Sequence, residues 1–303
     1  MHKIDLVTFL DRMRFKRNFS IEDFTDGIIS VRSWMDYKNP DKEVSMRLDT
    51  FTSLVNRLGF SVDELFLEFA IFDEKETMTV NSIYNSVVNK DKNTFKLLKV
   101  EFGDGSFMVQ RNKLLYEYAV LLDSFNDGKI HASQYLSEIK ALIDYPEVFK
   151  KETHTIIELL ILGEVLFLSE IETDKSKILS LLHNTIKKES LINPLFRNDK
   201  ILILQANLAT YCGRIGDYEK CLDLCDAGLS ISMTYKEFYL IEHFYYCKAL
   251  CYNKLNIMDK RNEAIEDCYY SIKAKKDSAL LNKYLNLFKK DFNITEFGPL
   301  IFK

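Results

Sequence analysis

Apolar residues recur at helical spacing from the start of the chain. Ile4, Leu6, Val7, Phe9, Leu10 and Met13 put one apolar face on a segment over residues 4–17, and the other face is basic. Ser20 then stands as an N-cap with Glu22 and Asp23 behind it, where negative charge suits a helix start, and predicts a helix from Ile21 to about Gly27. Ser30 caps the next, running through Val31 to Tyr37 until Asn39-Pro40 stops it. The period returns from Leu48 to Leu58, ends at Gly59, and restarts over Ser61 to Phe66 with its own cap. Five helices result in about sixty-six residues, the second and third joined by a tight turn at Gly27.

From about residue 75 the helical segments arrive in pairs. The clearest runs from Asn207 to Leu222, with Gly216-Asp217-Tyr218 as its turn. It resembles a tetratricopeptide repeat, with Leu208-Ala209 as the small packing pair and Cys221, Cys225 and Gly228 at the small positions of the second helix. A second copy reads Tyr246 to Leu255 followed by Glu263 to Cys268, at a period of about forty residues. Weaker copies lie at Leu162-Gly163-Glu164 with Lys177 to Thr185, and at Tyr116 to Leu122 with Ser133 to Leu142.

Stacked pairs curve so that their first helices line a concave groove suited to extended peptides. The repeat pattern turns Thr210 and Arg214 toward that groove, with Asn207 nearby, and in the next pair His243, Tyr246, Asn253 and Lys254. An Asn amide donates and accepts at once, so it can hold a peptide backbone without reading its side chains. Asn207 and Asn253 also fit as ordinary surface residues, and Tyr246 as a core side chain.

The first five helices resemble the Cro/repressor-type helix-turn-helix over about residues 4–66. Phe24 and Gly27 fall in the second helix, Ser30 opens the third, and Leu54 with Leu58 to Leu65 closes the unit. In that family the third helix enters the major groove, so the resemblance implies DNA contacts at Arg32, Ser33, Asp36 and Lys38, with Arg14 and Arg17 beside the backbone. Ile21 departs from the pattern where such helices commonly carry Gln, Thr25 where a small residue is usual, and Trp34, Met35 and Tyr37 are bulky for a recognition helix. Basic and acidic residues roughly cancel over residues 1–66, whereas phosphate binding favours a basic excess.

Composition narrows the class. The 303 residues are 47% hydrophobic and 28% charged, with only 10 Gly and 4 Pro, too few for the turns of an all-β protein. The opening Met1-His2-Lys3-Ile4-Asp5 runs straight into an amphipathic pattern, so no cleavable signal is expected in it, and the most apolar run, Ile156 to Leu168, is too short to span a bilayer and carries Glu158 and Glu164. A cytoplasmic protein without a membrane segment is expected. The six cysteines all follow residue 211, and the i,i+4 pairs Cys221/Cys225 and Cys247/Cys251 suit buried packing better than a metal site. Asp123 to Ile130 resembles part of an EF-hand loop, but Phe125 replaces an oxygen ligand and Gln134 stands where a bidentate Glu is needed. Glu101 and Asp104 make no catalytic carboxylate pair, since Phe102 to Ser106 more simply forms a turn, the five His are scattered, and no nucleophile motif is present. No enzyme, cofactor or metal is expected. The tail from Asn293 to Lys303 leaves the helical period, as an arm, a dimer partner or a cap on the repeats.

The order of parts is similar to that of the Rgg/PlcR/PrgX group of peptide-pheromone receptors, most tellingly from His243 through Leu255 to Asp267. The resemblance implies an all-α chain in which a five-helix helix-turn-helix domain over residues 1–66 precedes a right-handed TPR-like solenoid over 67–303. It also implies a homodimeric quorum-sensing regulator that binds double-stranded DNA and a short linear signalling peptide. The alternative is a Rap-type, peptide-regulated interaction module that does not bind DNA.

Overall fold

A computed structural model describes residues 3–40, 42, 44–102, 107–170, 172–186, 199–236 and 238–294. The turn expected at Gly103 to Ser106, with Asp104, and the tail from Thr295 onward lie outside these residues. Among the described residues the protein is helical throughout, without a strand: α1 (Lys3–Lys16), α2 (Ile21–Thr25), α3 (Val31–Lys38), α4 (Leu48–Arg57), α5 (Val62–Val88), α6 (Lys92–Phe102), α7 (Gln110–Asn126), α8 (Ala132–Leu142), a 3-10 turn (Glu147–Lys150), α9 (Ile156–Leu168), α10 (Glu172–Ile186), α11 (Asp199–Ile215), α12 (Tyr218–Tyr235), α13 (Ile241–Lys254), α14 (Met258–Lys275) and α15 (Ser278–Phe292). They form two compact units, Met1–Leu142 and Ile143–Lys303.

In the first unit the helix starts follow the capping chemistry of the sequence. The side chains of Ser20, Ser30 and Ser61 accept from the backbone N–H of Asp23, Ser33 and Glu64, and Glu64 closes the capping box at Ser61. Gly27 and Gly59 hold φ of +67° and +72°, a left-handed conformation that side-chain-bearing residues adopt at a cost. The core gathers Leu10, Phe24, Trp34, Leu54, Leu58 and Leu65, all fully buried, with Trp34 edge-on to Phe24 at 5.0 Å. Met35, which follows Trp34 and turns away from the face that buries Trp34 and Tyr37, is exposed.

Helix α5 does not end near Phe66 but runs unbroken for 27 residues, so the division expected at residue 66 falls in its interior. Residues 67–88 contain neither Gly nor Pro to interrupt it. Leu65 and Phe69 bury in the helix-turn-helix core, and further along Val80, Ile83, Tyr84 and Val87 are buried where the helix pairs with α6 and α7. Glu76 reaches from its middle to the start of α7, accepting from the N–H of Met108 (2.6 Å) and Val109 (2.9 Å). A carboxylate there offsets the unpaired donors of the helix start. The segment resembling an EF-hand is the turn leaving α7, and Lys92 forms ion pairs with both Asp123 and Asp127.

The second unit stacks helix pairs: α9 on α10, α11 on α12, α13 on α14, with α15 against α14. The first helices of successive pairs also touch, α9 against α11 and α11 against α13, as the solenoid requires. Asp217 caps α12 after the Gly216 turn, as the repeat pattern predicts. Helix α9 is apolar on all sides because it is buried on all sides, and its Glu158 is spent on a capping box with Thr155 and an ion pair with Lys151 at 2.5 Å. No helix among the described residues is long and apolar enough to cross a membrane.

Candidate functional site

Two sets of side chains bear on function, one in each unit. In the first, α3 presents Arg32 to solvent, while its inward face carries Trp34 and Tyr37 at the i,i+3 spacing of one helix side. Arg32 has no protein partner among the described residues. Ser33 is half-buried, its hydroxyl 2.9 Å from that of Ser30. Asp36 pairs with Lys42 at 2.5 Å. Lys38 pairs with Asp11 of α1 at 2.6 Å, and Arg14 binds the same carboxylate through Nε at 2.8 Å while donating to the Phe19 carbonyl. Arg14 is therefore turned inward, 9% exposed. Arg17 lies exposed over the Phe60 ring, 4.2 Å from its centroid. Of the six residues expected at DNA, Arg32 and Arg17 are the exposed cations, and Arg14, Asp36 and Lys38 are held in ion pairs.

No local pattern in the sequence marks Asp11, because its role depends on a partner 27 residues away. Burial alone would raise its carboxyl, but the hydrogen bonds from Lys38 and Arg14 outweigh that and hold it below its ordinary value of 3.8. The pairing ties α1 to α3 and so fixes how Arg32 is presented. Asp11→Asn is expected to cost about 1–2 kcal/mol, the loss of charge-assisted hydrogen bonds at a partly screened site. A depressed carboxyl contributes stability that is present above its unfolded pKa and lost as pH falls through the folded one. In urea melts the gap between wild type and Asp11→Asn should therefore be full at pH 7 and close below about pH 4; a gap independent of pH would refute the pairing. Arg57 is a second residue that the pattern did not reveal. Its Nη1 donates to the carbonyls of Asp23 (2.9 Å) and Asp26 (2.5 Å), satisfying the open end of α2.

In the second unit the expected groove residues lie along α11 and α13, which pack together. Ile203, Asn207, Thr210 and Arg214 form one i,i+4,i+7,i+11 stripe of α11, none of them fully buried. The Thr210 hydroxyl donates to the Ala206 carbonyl at 2.8 Å and lies 3.0 Å from His243 Nε2 on α13, which in turn is 3.5 Å from Cys247 Sγ. Burial alone would lower the His243 imidazole, yet the Cys247 thiol beside it lifts it above its ordinary value. Tyr246 is core: it is 9% exposed, packs edge-on to Tyr284 at 5.5 Å, and its hydroxyl donates to the Asp291 carboxylate. The Asn253 side-chain oxygen accepts from Arg261 at 3.3 Å. Asn207 is half-buried with no protein partner among the described residues. Arg214 and Lys254 are exposed in the last turns of their helices, Arg214 5.5 Å from the Phe167 ring centroid.

All six cysteines are buried free thiols. Cys221 and Cys225 of α12 neighbour Cys251 and Cys247 of α13, and hydrogen bonds from Cys225 pull both Cys221 and Cys247 below the ordinary thiol value while Cys225 itself is raised. Among the described residues no group of three or more His, Cys, Asp or Glu is disposed to hold a metal ion.

Comparison with known proteins places this arrangement. No family model and no curated protein matches the sequence. Solved structures do match, along nearly their whole length. The competence regulator ComR from Streptococcus vestibularis, in complex with its cognate signalling peptide XIP, superposes with a TM-score of 0.57 at 15% identity, over 96% of this chain and 99% of that one. ComR from S. thermophilus, in complex with DNA and its signalling peptide ComS, gives 0.54 at 15% identity over 95% and 99%. The apo form of Bacillus thuringiensis PlcR gives 0.51 at 14% identity over 92% and 98%. The chain has the fold of the ComR and PlcR regulators. The resemblance to the Rgg/PlcR/PrgX group carried by the helix-turn-helix and repeat signals is thus borne out as a fold, an all-α one with a helical solenoid.

Proposed function

We propose that this chain is a cytoplasmic, homodimeric transcription regulator that reads double-stranded DNA with α3 and is controlled by a short peptide held along α11 and α13. The observation that carries the reading is the pairing of a serine-capped, solvent-facing α3 with a solenoid whose first helices stack, over the full length of regulators solved with DNA and with signalling peptides. Arg32 is the base- or phosphate-reading cation, and Arg17 and Ser33 flank it. Asn207 supplies the free amide for a peptide backbone, Arg214 and Lys254 attract acidic groups, and Thr210, His243 and Asn253 set the groove's polar floor. Tyr246 and Arg14 support these elements from within.

Fluorescence anisotropy of the protein on DNA from upstream of its own gene tests the first half. Binding should weaken steeply with salt, and Arg32→Ala should cost about 1–3 kcal/mol, roughly tenfold or more in affinity. The internal pairing of Arg14, Asp36 and Lys38 favours a second reading, a Rap-type module that acts on a protein. Salt-independent failure to bind any such DNA, with or without peptide, would select it.

A further inference from the structure

The first unit contains a cavity of about 470 Å³ between α1, α5, the end of α6 and the approach to α7, which the DNA and peptide readings do not use. Pockets for small molecules span about 300–1,000 Å³ and pair an apolar body with a few placed polar groups. Phe9 and Met13 of α1, Ile71 and Phe72 of α5, and Phe102 and Phe107 form its apolar wall. Ile71 is 47% exposed and Phe102 38%, surface that a closed core would cover. Three cations stand among these walls, Arg12 and Lys16 one turn apart on α1 and Lys75 on α5. None has a carboxylate partner among the described residues. The Arg12 guanidinium is held over the Phe72 ring, 4.6 Å from its centroid, so its N–H edge is positioned but unspent. Of the two acids in the lining, Glu76 is consumed by Met108 N–H, Val109 N–H and the Asn112 amide (3.1 Å), which leaves Glu68 alone against three cations.

We propose that this cavity binds an amphipathic carboxylate of the fatty-acid class, its chain against the aromatic wall and its head between Arg12 and Lys75. A carboxylate accepts two parallel hydrogen bonds from a guanidinium edge, and a second cation opposite adds attraction without geometric demand. The aromatic and thioether wall accepts a flexible chain without a fixed shape.

Isothermal titration of the full-length protein with decanoate at pH 7.5, below its micelle concentration, is the test. Wild type should show one saturable site. Arg12→Ala/Lys75→Ala, both exposed positions, should weaken it at least fivefold while the cooperative thermal transition is retained, and Arg12→Lys, which keeps the charge but loses the paired N–H edge, should recover only part of the affinity. Thr79→Phe, which fills the cavity, should abolish it, with folding checked by the fluorescence of the single tryptophan. No saturable heat in wild type, or equal affinity in the double variant, overturns the proposal. Should decanoate fail to bind while the double variant loses DNA affinity, the three cations are phosphate contacts instead.

Discussion

Trp34→Ala is expected to cost about 3–5 kcal/mol, the range for deleting a large buried aromatic side chain, and to unfold the module built by α1–α4. Trp34 is fully buried, edge-on to Phe24, at the centre of the core that also takes Leu10, Leu54 and Leu58. Its Nε1 is buried without a hydrogen-bond partner, so the indole is held there for volume and not for its donor. An unmet donor carries a desolvation penalty. Trp34→Phe should therefore be much milder, within about 1.5 kcal/mol, because the smaller ring loses packing but also removes the penalty. Far-UV circular dichroism during urea unfolding separates the two. Equal costs for Ala and Phe would mean that the indole nitrogen, and not the ring volume, holds the core.

The same residue marks where the sequence is legible and where it is not. The starts of α2, α3 and α5 could be placed to the residue because a capping serine and its partners lie within four positions. Trp34 and Tyr37 are bulky for a recognition helix, and the sequence alone does not say which side of α3 faces inward. Burial of both, with Arg32 and Met35 outside, resolves the difficulty: the bulky residues are the core face. The length of α5 is not legible for a different reason. Its first turns bury against α1 and α4 and its last against α6 and α7, so no single apolar stripe runs its length. The ion pairs of Arg14 and Lys38 with Asp11 were invisible because local spacing carries no information about partners 27 residues apart. In the second unit Tyr246 sits at a position the repeat pattern turns toward the groove, but α15 covers it: Tyr284, Phe288 and Phe292 surround its ring. Among the described residues, the candidates whose side chains make no hydrogen bond within the protein are those in last turns or on the outer stripe, Arg214, Lys254 and Asn207, while Thr210, His243 and Asn253 are engaged with their neighbours.

Gly228→Ala should destabilise the second unit by about 1–3 kcal/mol, although Ala is the better helix former by about 1 kcal/mol. Gly228 lies within α12, and a Cβ there would fall 2.4 Å from Phe244 Cζ and 2.6 and 2.7 Å from its two Cε atoms. Those atoms end a side chain, which in a loose setting could swing away. Phe244 cannot, because it is fully buried between its neighbours, and a ring in a close-packed core has no empty rotamer to enter. The strain then passes to the backbone, prising α13 from α12 and shifting His243 and Asn253 with it. If the proposed groove is correct, peptide affinity should fall together with stability. Gly228→Ala/Phe244→Leu supplies the control, since the smaller side chain vacates the space the new methyl needs. It should recover most of the stability lost by Gly228→Ala alone, less the cost of Phe244→Leu by itself. Coupling of this kind appears in a double-mutant cycle as a favourable interaction of about 0.5–3 kcal/mol. Strict additivity would show that the cost of the methyl does not act through Phe244, and that the contact between Gly228 and this ring is not what sets the distance between α12 and α13.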